Sequence, residues 1–174
     1  LSGYGRRVID PLIKRLTSGN AAARCAAAEA LGRMRDDRGV ASLVAALQDL
    51  DAGVRAAAAE GLGRTAKPHT AKALVPLLND SREKVVAAAA EALRLIDGPS
   101  VAPLVEGLKD SDVTLRTNCA RVLGRIGDSR AVPGLIKRLD DDNATVRRVS
   151  ALALGLIGDR RAFDPLLNTY NDPN

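Results

Sequence analysis

Aromatic side chains are nearly absent: Trp does not occur, and Phe and Tyr together make up only 2% of the 174 residues. The apolar volume therefore rests on Ala, Leu, Val and Ile, which suits closely packed helices better than a sandwich of β-branched and aromatic residues. The same scarcity leaves few platforms on which a nucleobase could stack. No apolar run reaches the ~18 residues of a membrane span. The opening residues, Leu1 to Arg6, lack the charged, apolar and small-residue regions of a signal peptide. A soluble, cytoplasmic protein with no membrane contact is expected. Cysteine is limited to Cys25 and Cys119, at different positions of the pattern described below. That argues against a CxxC site or a disulfide framework and for buried thiols in a reducing compartment. The lone histidine, His69, lies in the turn Lys67-Pro68-His69-Thr70 with no second His or Cys at ligand spacing, so no metal site is expected. No GxSxG or P-loop occurs, and Gly61-Leu62-Gly63 lies in a helical stripe with no strand before it. The chain reads as non-enzymatic, with no catalytic residue and no cofactor.

What it has in place of these is charge and repetition. Charged residues make up 27%, 26 basic against 21 acidic, giving a formal charge of +5 and a pI near 9.6. The two signs are interspersed, so the bias toward acidic partners is mild. Repetition is the stronger signal. The stretch from Asp110 to Leu139, DSDVTLRTNCARVLGRIGDSRAVPGLIKRL, returns about one such length earlier and later. Leu31, Leu62, Leu93, Leu123 and Leu154 recur at spacings of 31, 31, 30 and 31. Leu16, Leu47, Leu78, Leu108 and Leu139 keep the same step, with Tyr170 in the sixth place. Both series shorten once, where Asp97-Gly98-Pro99-Ser100 replaces the longer turn found at Gly127 to Ala131.

Within each period the apolar spacing is helical: Val146, Val149, Ala153, Leu154 and Ile157 follow the stripe of a buried helix face. The Gly-Asp pair after it is a stop signal. Gly takes the left-handed C-cap conformation, and Asp accepts bonds from the free amides of the next helix. Pro11, Pro103, Pro133 and Pro165 stand in the first turn of the second helix, where a missing N–H is not required. First-type helices are expected near residues 21–34, 52–65, 83–96, 112–126 and 144–157. Second-type helices are expected near 8–17, 39–48, 70–79, 100–109, 131–140 and 162–170. One pair cannot bury its own stripes, so successive pairs must stack. The expected fold class is all-α, a superhelical α-solenoid of about five helical hairpins of ~31 residues. It forms one domain over residues 1–174, with the end of a partial repeat at 1–19 and repeats at 20–50, 51–81, 82–111, 112–142 and 143–174.

Two stretches carry a family resemblance: VRRVSALALGLIGDRRA from Val146 to Ala162 and GLIKRLDDD from Gly134 to Asp142. The chain as a whole resembles the HEAT-like repeats, of ARM/HEAT type, first associated with phycobilisome lyase subunits and found in many bacterial and archaeal scaffolds. The resemblance implies a ladder in which an Asp of the inter-repeat link and an Arg six residues on line the solenoid. The matching acids are Asp49, Asp80, Asp110 and Asp141, and the matching bases are Arg24, Arg55, Arg116 and Arg147. Ser18 replaces the first acid and Val86 the third base. Independently of family, an Asp before a helix can cap free amides, and an Arg in the first turns can span carboxylates of its own and neighbouring links. These charges therefore read as structural. The resemblance also implies that the second helices line the concave face. As an alternative function it implies a lyase or chaperone-like subunit acting on a tetrapyrrole-bearing protein. Metal-dependent HEAT-repeat hydroxylases carry His-Glu pairs that this chain lacks.

If the leucines of the second helices face the core, positions one, two, five and six residues before them face outward. Along the chain these are Asp10, Lys14 and Arg15; Ala41, Ser42, Ala45 and Ala46; Lys72, Pro76 and Leu77; Glu106 and Gly107; Lys137 and Arg138. The candidate partner-binding set is Lys14, Arg15, Ala45, Ala46, Lys72, Pro76, Leu77, Glu106, Lys137 and Arg138. It is apolar in the middle and basic at the flanks, suited to a protein or peptide with acidic flanks. Pro76 should kink its helix, which either turns Leu77 into the core or leaves it as an apolar anchor. A second basic row, Arg7, Arg38, His69, Arg130 and Arg161, lies in the tight turns, with local acids such as Asp36, Asp128 and Asp159 as expected partners. Phosphate-backbone binding is the weaker alternative, nucleic acid being disfavoured by the missing aromatics. At the ends, Leu1 and Tyr4 repeat the spacing of Leu93 and Ile96, and Asp172 has the ladder-acid position of a further repeat. Neither end carries a polar cap, so a segment of a longer array, or end-to-end self-association, is expected.

Overall fold

The computed structural model describes residues 3–170. Its helices in chain order are α1 (Gly3–Leu16), α2 (Ala21–Met34), α3 (Asp37–Ala46), α4 (Ala52–Thr65), α5 (Ala71–Leu74), α6 (Glu83–Ile96), α7 (Val101–Gly107), α8 (Val113–Ile126), α9 (Val132–Ile136), α10 (Ala144–Ile157) and α11 (Phe163–Tyr170). Short 3₁₀ turns lead into four of the second helices, at Pro68–Thr70, Gly98–Ser100, Ser129–Ala131 and Arg160–Ala162. Another, Val75–Asn79, completes the helix begun by α5. Among the described residues no strand occurs, and no helix is long and apolar enough to cross a membrane. The fold is an all-α solenoid of helical hairpins, and the first-type helices lie where the apolar period puts them, to within one residue.

Side chains at the helix ends explain the boundaries. Asn20, Asp51, Asp112 and Asn143 are the N-caps of α2, α4, α8 and α10, each accepting amide hydrogen bonds from the first turn. The ladder acids two residues earlier do something different from the expected capping. Asp49, Asp80, Asp110 and Asp141 accept from the amides of Asp51, Arg82, Asp112 and Asn143, at 2.8, 2.9, 2.8 and 3.1 Å. They fold the link, which then aims the cap. At the other end α8 and α10 stop at left-handed Gly127 and Gly158. In the first two hairpins Arg35 and Ala66 take that conformation, at φ 50° and 49°, at a cost of about 1 kcal/mol each.

The first hairpin departs from expectation. Helix α1 begins at Gly3 and runs unbroken with Pro11 inside it, instead of starting near residue 8. In other hairpins Asp36, Asp128 and Asp159 start a new helix by accepting the amide two residues on. Gly5 holds that place in the first hairpin, and Lys67 and Asp97 hold it in two others, where the new helix starts without a side-chain cap. Leu1 and Asp172, on which the reading of the chain ends rests, lie outside the described residues, as do the side chains of Tyr4, Arg7 and Tyr170.

The chain divides into two compact units, residues 1–96 and 97–174. In unit 1, α2, α4 and α6 pack side by side as one layer, and α1, α3 and the α5 segment form the second. In unit 2, α8 and α10 pack together, with α7 and α9 against them. The ten leucines of the two periodic series are all buried, each contributing roughly 2 kcal/mol of burial. Within the first layer the helices approach closely through small residues. A Cβ on Gly63 would come within 2.7 Å of the Ala92 Cα, and one on Gly124 within 2.8 Å of the Ala153 Cα. The aromatic-poor composition follows from this spacing, since no larger side chain fits between such backbones.

Arg–Asp clamps tie neighbouring links together. Arg24 donates through Nε and Nη2 to both oxygens of Asp49, at 2.7 and 2.8 Å, and Arg55 does the same to Asp80, at 2.8 and 2.9 Å. In unit 2 Arg116 holds Asp141, with both contacts at 2.9 Å. The remaining Nη1 of each Arg donates to carbonyls of its own link: Gly19 for Arg24, Asp49 and Leu50 for Arg55, Asp110 and Ser111 for Arg116. Arg147 binds the carbonyls of Asp141 and Asp142 in the same way. The Arg24 hydrogen bonds hold Asp49 below the usual carboxylate range, and those of Arg55 do the same to Asp80. Burial raises Asp141, but the bonds from Arg116 and the Asn143 amide outweigh it and the net shift is downward.

Because the Asp141 side chain is only 2% exposed, Arg116→Met leaves a carboxylate in the interior with half its partners gone. A loss of about 2 kcal/mol is expected, while Lys109→Ala, which breaks a surface pair, changes stability by less than ~0.5 kcal/mol. Urea unfolding of the two variants measures the contrast.

The turn acids Asp128 and Asp159 titrate lower still, near 2, because Arg130 and Arg161 bond them from side chain and amide. All five depressed carboxylates stabilise the fold above their unfolded value of about 3.9, and that stability is lost as pH falls through the folded values. The melting temperature should therefore hold nearly constant from pH 7 to about 5 and fall steeply between about pH 4 and 2. A pH series of thermal melts in which the drop began well above pH 5 would point to other groups.

Candidate functional site

The outward surface of the second helices is narrower than the four-position pattern expected. In α3, Ala41 and Ala45 are exposed and Ser42 is half-buried, but Ala46 is buried. In the next hairpin Lys72 and Pro76 are exposed, while Leu77 is buried at 5% exposure. Leu77 therefore leaves the candidate binding set, while Ala46 keeps a place in it only through the wall of a groove. Leu77 and Pro76 stand in the 3₁₀ segment Val75–Asn79. The place of Leu77 itself faces inward, since Ala46 holds it in α3 and is buried within an α-helix.

The remaining predicted residues divide between the units. Lys14, Arg15, Ala45, Lys72 and Pro76 lie exposed on unit 1. No ion pair joins Lys14, Arg15 or Lys72 to a described residue. Glu106, Lys137 and Arg138 belong to unit 2. There Glu106 pairs with Lys109 at 2.8 Å, and half-buried Arg138 reaches back to Asp141 at 3.2 Å. Of the three only Lys137 stands as an unengaged outward charge.

The unit 1 surface contains a groove of about 430 Å³ with Ala45, Ala46 and Leu16 in its apolar wall and Ser42, Thr17 and Gln48 as polar points. The Arg24–Asp49 clamp closes one side and Leu50 stands at the rim. Leu50 is 99% exposed, and the outward-row reading missed it because it lies in a link. A signal was present nonetheless: equivalent link positions hold Gly19, Ser81, Ser111 and Asp142, so a leucine there has no structural cause. A second, polar groove of about 760 Å³ begins on the far side of Leu50, where Arg55, Arg82 and Lys84 face Asp51 and Glu83.

The turn row forms local pairs. Arg38 bonds Asp36, Arg130 bonds Asp128 and Arg161 bonds Asp159. Arg130 and Arg161 also donate to the preceding turn, at the carbonyls of Gly98 and Ser129, 3.1 and 2.9 Å away. These contacts stitch turn to turn within unit 2 and leave little free charge for a ligand. Burial pushes the Cys119 thiol up to about 12, and burial together with Asp51 raises Cys25, so neither is activated as a thiolate. Among the described residues no group of three His, Cys, Asp or Glu side chains gathers as a metal site.

A family model of HEAT repeats matches residues 9–94 and 101–174. A search of curated proteins finds no match. Among solved structures, one of microtubule plus end tracking by XMAP215, CLIP-170 and EB1 is similar over 93% of this chain and 84% of that one, at 20% identity and a TM-score of 0.72. The complex of CpcE and CpcF of phycocyanin lyase from Nostoc sp. PCC7120 is similar over 94% and 71%, at 24% identity and a TM-score of 0.59. Computationally designed armadillo repeat proteins for modular peptide recognition are similar over 95% and 89%, at 19% identity and a TM-score of 0.53. At these identities the likenesses establish the solenoid fold.

The burial difference has a direct check. Leu77→Glu should lose about 3 kcal/mol or more of stability, because it places a charge in the core. Ala45→Glu and Leu50→Glu should stay within ~0.5 kcal/mol of the parent. Equal losses at all three positions in chemical denaturation would contradict the assigned faces.

Proposed function

Because the chain belongs to the HEAT-repeat family, we propose that it is a non-enzymatic, protein-binding scaffold module whose second-helix surface in unit 1 holds a peptide segment of a partner. The observation that carries this reading is the groove beside Ala45. It has an apolar wall, polar points at Ser42 and Gln48, and a leucine wholly exposed at its rim. Such a site takes an apolar side chain of the ligand and fixes the neighbouring backbone by hydrogen bonds. Lys14, Arg15 and Lys72 are exposed cations on the same unit without described partners, so acidic residues flanking the apolar anchor complete the match. The likeness to armadillo proteins designed for modular peptide recognition supports the mode of binding. The likeness to the CpcE–CpcF complex keeps a role with a tetrapyrrole-bearing protein as the alternative, and added bilin serves as its control.

Peptides selected from a random display library on the full chain should carry a large apolar residue flanked by Asp or Glu. Ala45→Glu and Lys14→Glu/Arg15→Glu should each weaken the selected peptide about tenfold, with the melting temperature unchanged. Selection of no peptide, or affinities indifferent to both variants, would overturn the assignment, and retention of bilin or duplex DNA in its place would redirect it.

A further inference from the structure

The outer face of the first-helix layer differs between the two units. In unit 1 it neutralises itself. Glu29 pairs with Arg33 and Glu60 with Arg64 one turn apart, and Glu91 pairs with Arg94. In unit 2 neither α8 nor α10 contains an Asp or Glu. At the places held by Glu60 and Arg64 in α4, α8 carries Arg121 and Arg125, and α10 carries Leu152 and Leu156. Arg148 precedes Leu152 by four residues and so lies on the same stripe.

These side chains form one exposed patch. Leu152 and Leu156 are 57% and 69% exposed, and Arg121, Arg125 and Arg148 are exposed. The end of Leu156 lies 3.4 Å from where a Cβ on Gly124 would stand, so it reaches across to α8 beside Arg125. Arg121 donates to Asn118, and no ion pair joins Arg121, Arg125 or Arg148 to a described residue. The nearby carboxylates are occupied elsewhere: Asp112 caps α8, while Asp128 and Asp159 hold Arg130 and Arg161.

We propose that this face of unit 2 is a second docking surface, and that its occupant is an amphipathic helix of a partner protein carrying leucine-like residues flanked by Glu or Asp. Two adjacent leucines ringed by three uncompensated guanidiniums call for apolar cover and negative charge together. A nucleic acid supplies only the charge and leaves the leucines wet. A second copy of this chain would bring either the same cations or the self-neutralised face of unit 1. A further stacked repeat would not cover the patch either. In α4, which has a helix on each side, Glu60 and Arg64 remain 50% and 36% exposed at the same two places.

The probe is a fluorescent helical peptide of about 18 residues, five turns long, with leucines on one face and glutamates beside them, and a twin with lysines in place of the glutamates. Anisotropy titrations on the full chain should give saturable binding of the Glu–Leu peptide and none of the Lys–Leu twin. Leu152→Ser/Leu156→Ser and Arg121→Glu/Arg125→Glu/Arg148→Glu should each weaken it about tenfold or more, with helical circular dichroism and melting unchanged. Lys14→Glu/Arg15→Glu in unit 1 should leave it unaltered, which separates this surface from the groove beside Ala45. Four results would overturn the proposal: no binding at millimolar peptide, equal binding of both peptides, loss only with the unit 1 variant, or dimerisation in sedimentation abolished by Leu152→Ser/Leu156→Ser.

Discussion

The rest of the architecture depends on a three-point arginine. Each clamp Arg uses two nitrogens to grip the carboxylate of the following link and a third to hold the carbonyls of its own. The planar guanidinium satisfies both demands at once, and a lysine could not. A clamp of this kind sets the distance and register between one hairpin and the next. The desolvation cost offsets much of its Coulombic gain, so its main contribution is to exclude other registers, with leucine burial supplying most of the stability. In this register Gly63 and Gly124 meet Ala92 and Ala153, and a slip of one residue would set side chains against backbone.

Once both layers are held in this way, the proposed docking surfaces use positions that the repeat itself does not need. In unit 1 these are the outward places on α3 and its neighbours, together with Leu50 in a link that is elsewhere small or polar. In unit 2 they are the outer places on α10, where leucines stand in for the Glu–Arg pair of α4. The regular stretch from Asp110 to Leu139 serves as a template. The residues of interest are those that differ from it, or, like Arg121 and Arg125, those that its regularity leaves without partners.

Much of this was readable from periodicity. Leucines at steps of 30 and 31 located the hairpins, because a helix that must bury one stripe can place its large apolar residues in few ways. Local backbone choices were harder to read. Pro76 announced a break, but Leu77 ended inside, as Ala46 does at the same place of α3. Arg35 and Ala66 adopt the left-handed C-cap that glycine takes at 127 and 158, against their local preference. Arg138 looked outward by position but turned to Asp141, since a long side chain follows the nearest buried charge. Leu50 was missed because helix-face reasoning does not extend to links.

The central claim is that the Arg–Asp clamp couples adjacent hairpins. The most direct test is a double-mutant cycle on Arg55 and Asp80, with Met and Leu as replacements, measured by urea unfolding. A coupling energy of about 1–3 kcal/mol is the predicted result. A value within ~0.3 kcal/mol of zero would mean that the two residues stabilise the fold independently and that the clamp does not hold the repeats in register.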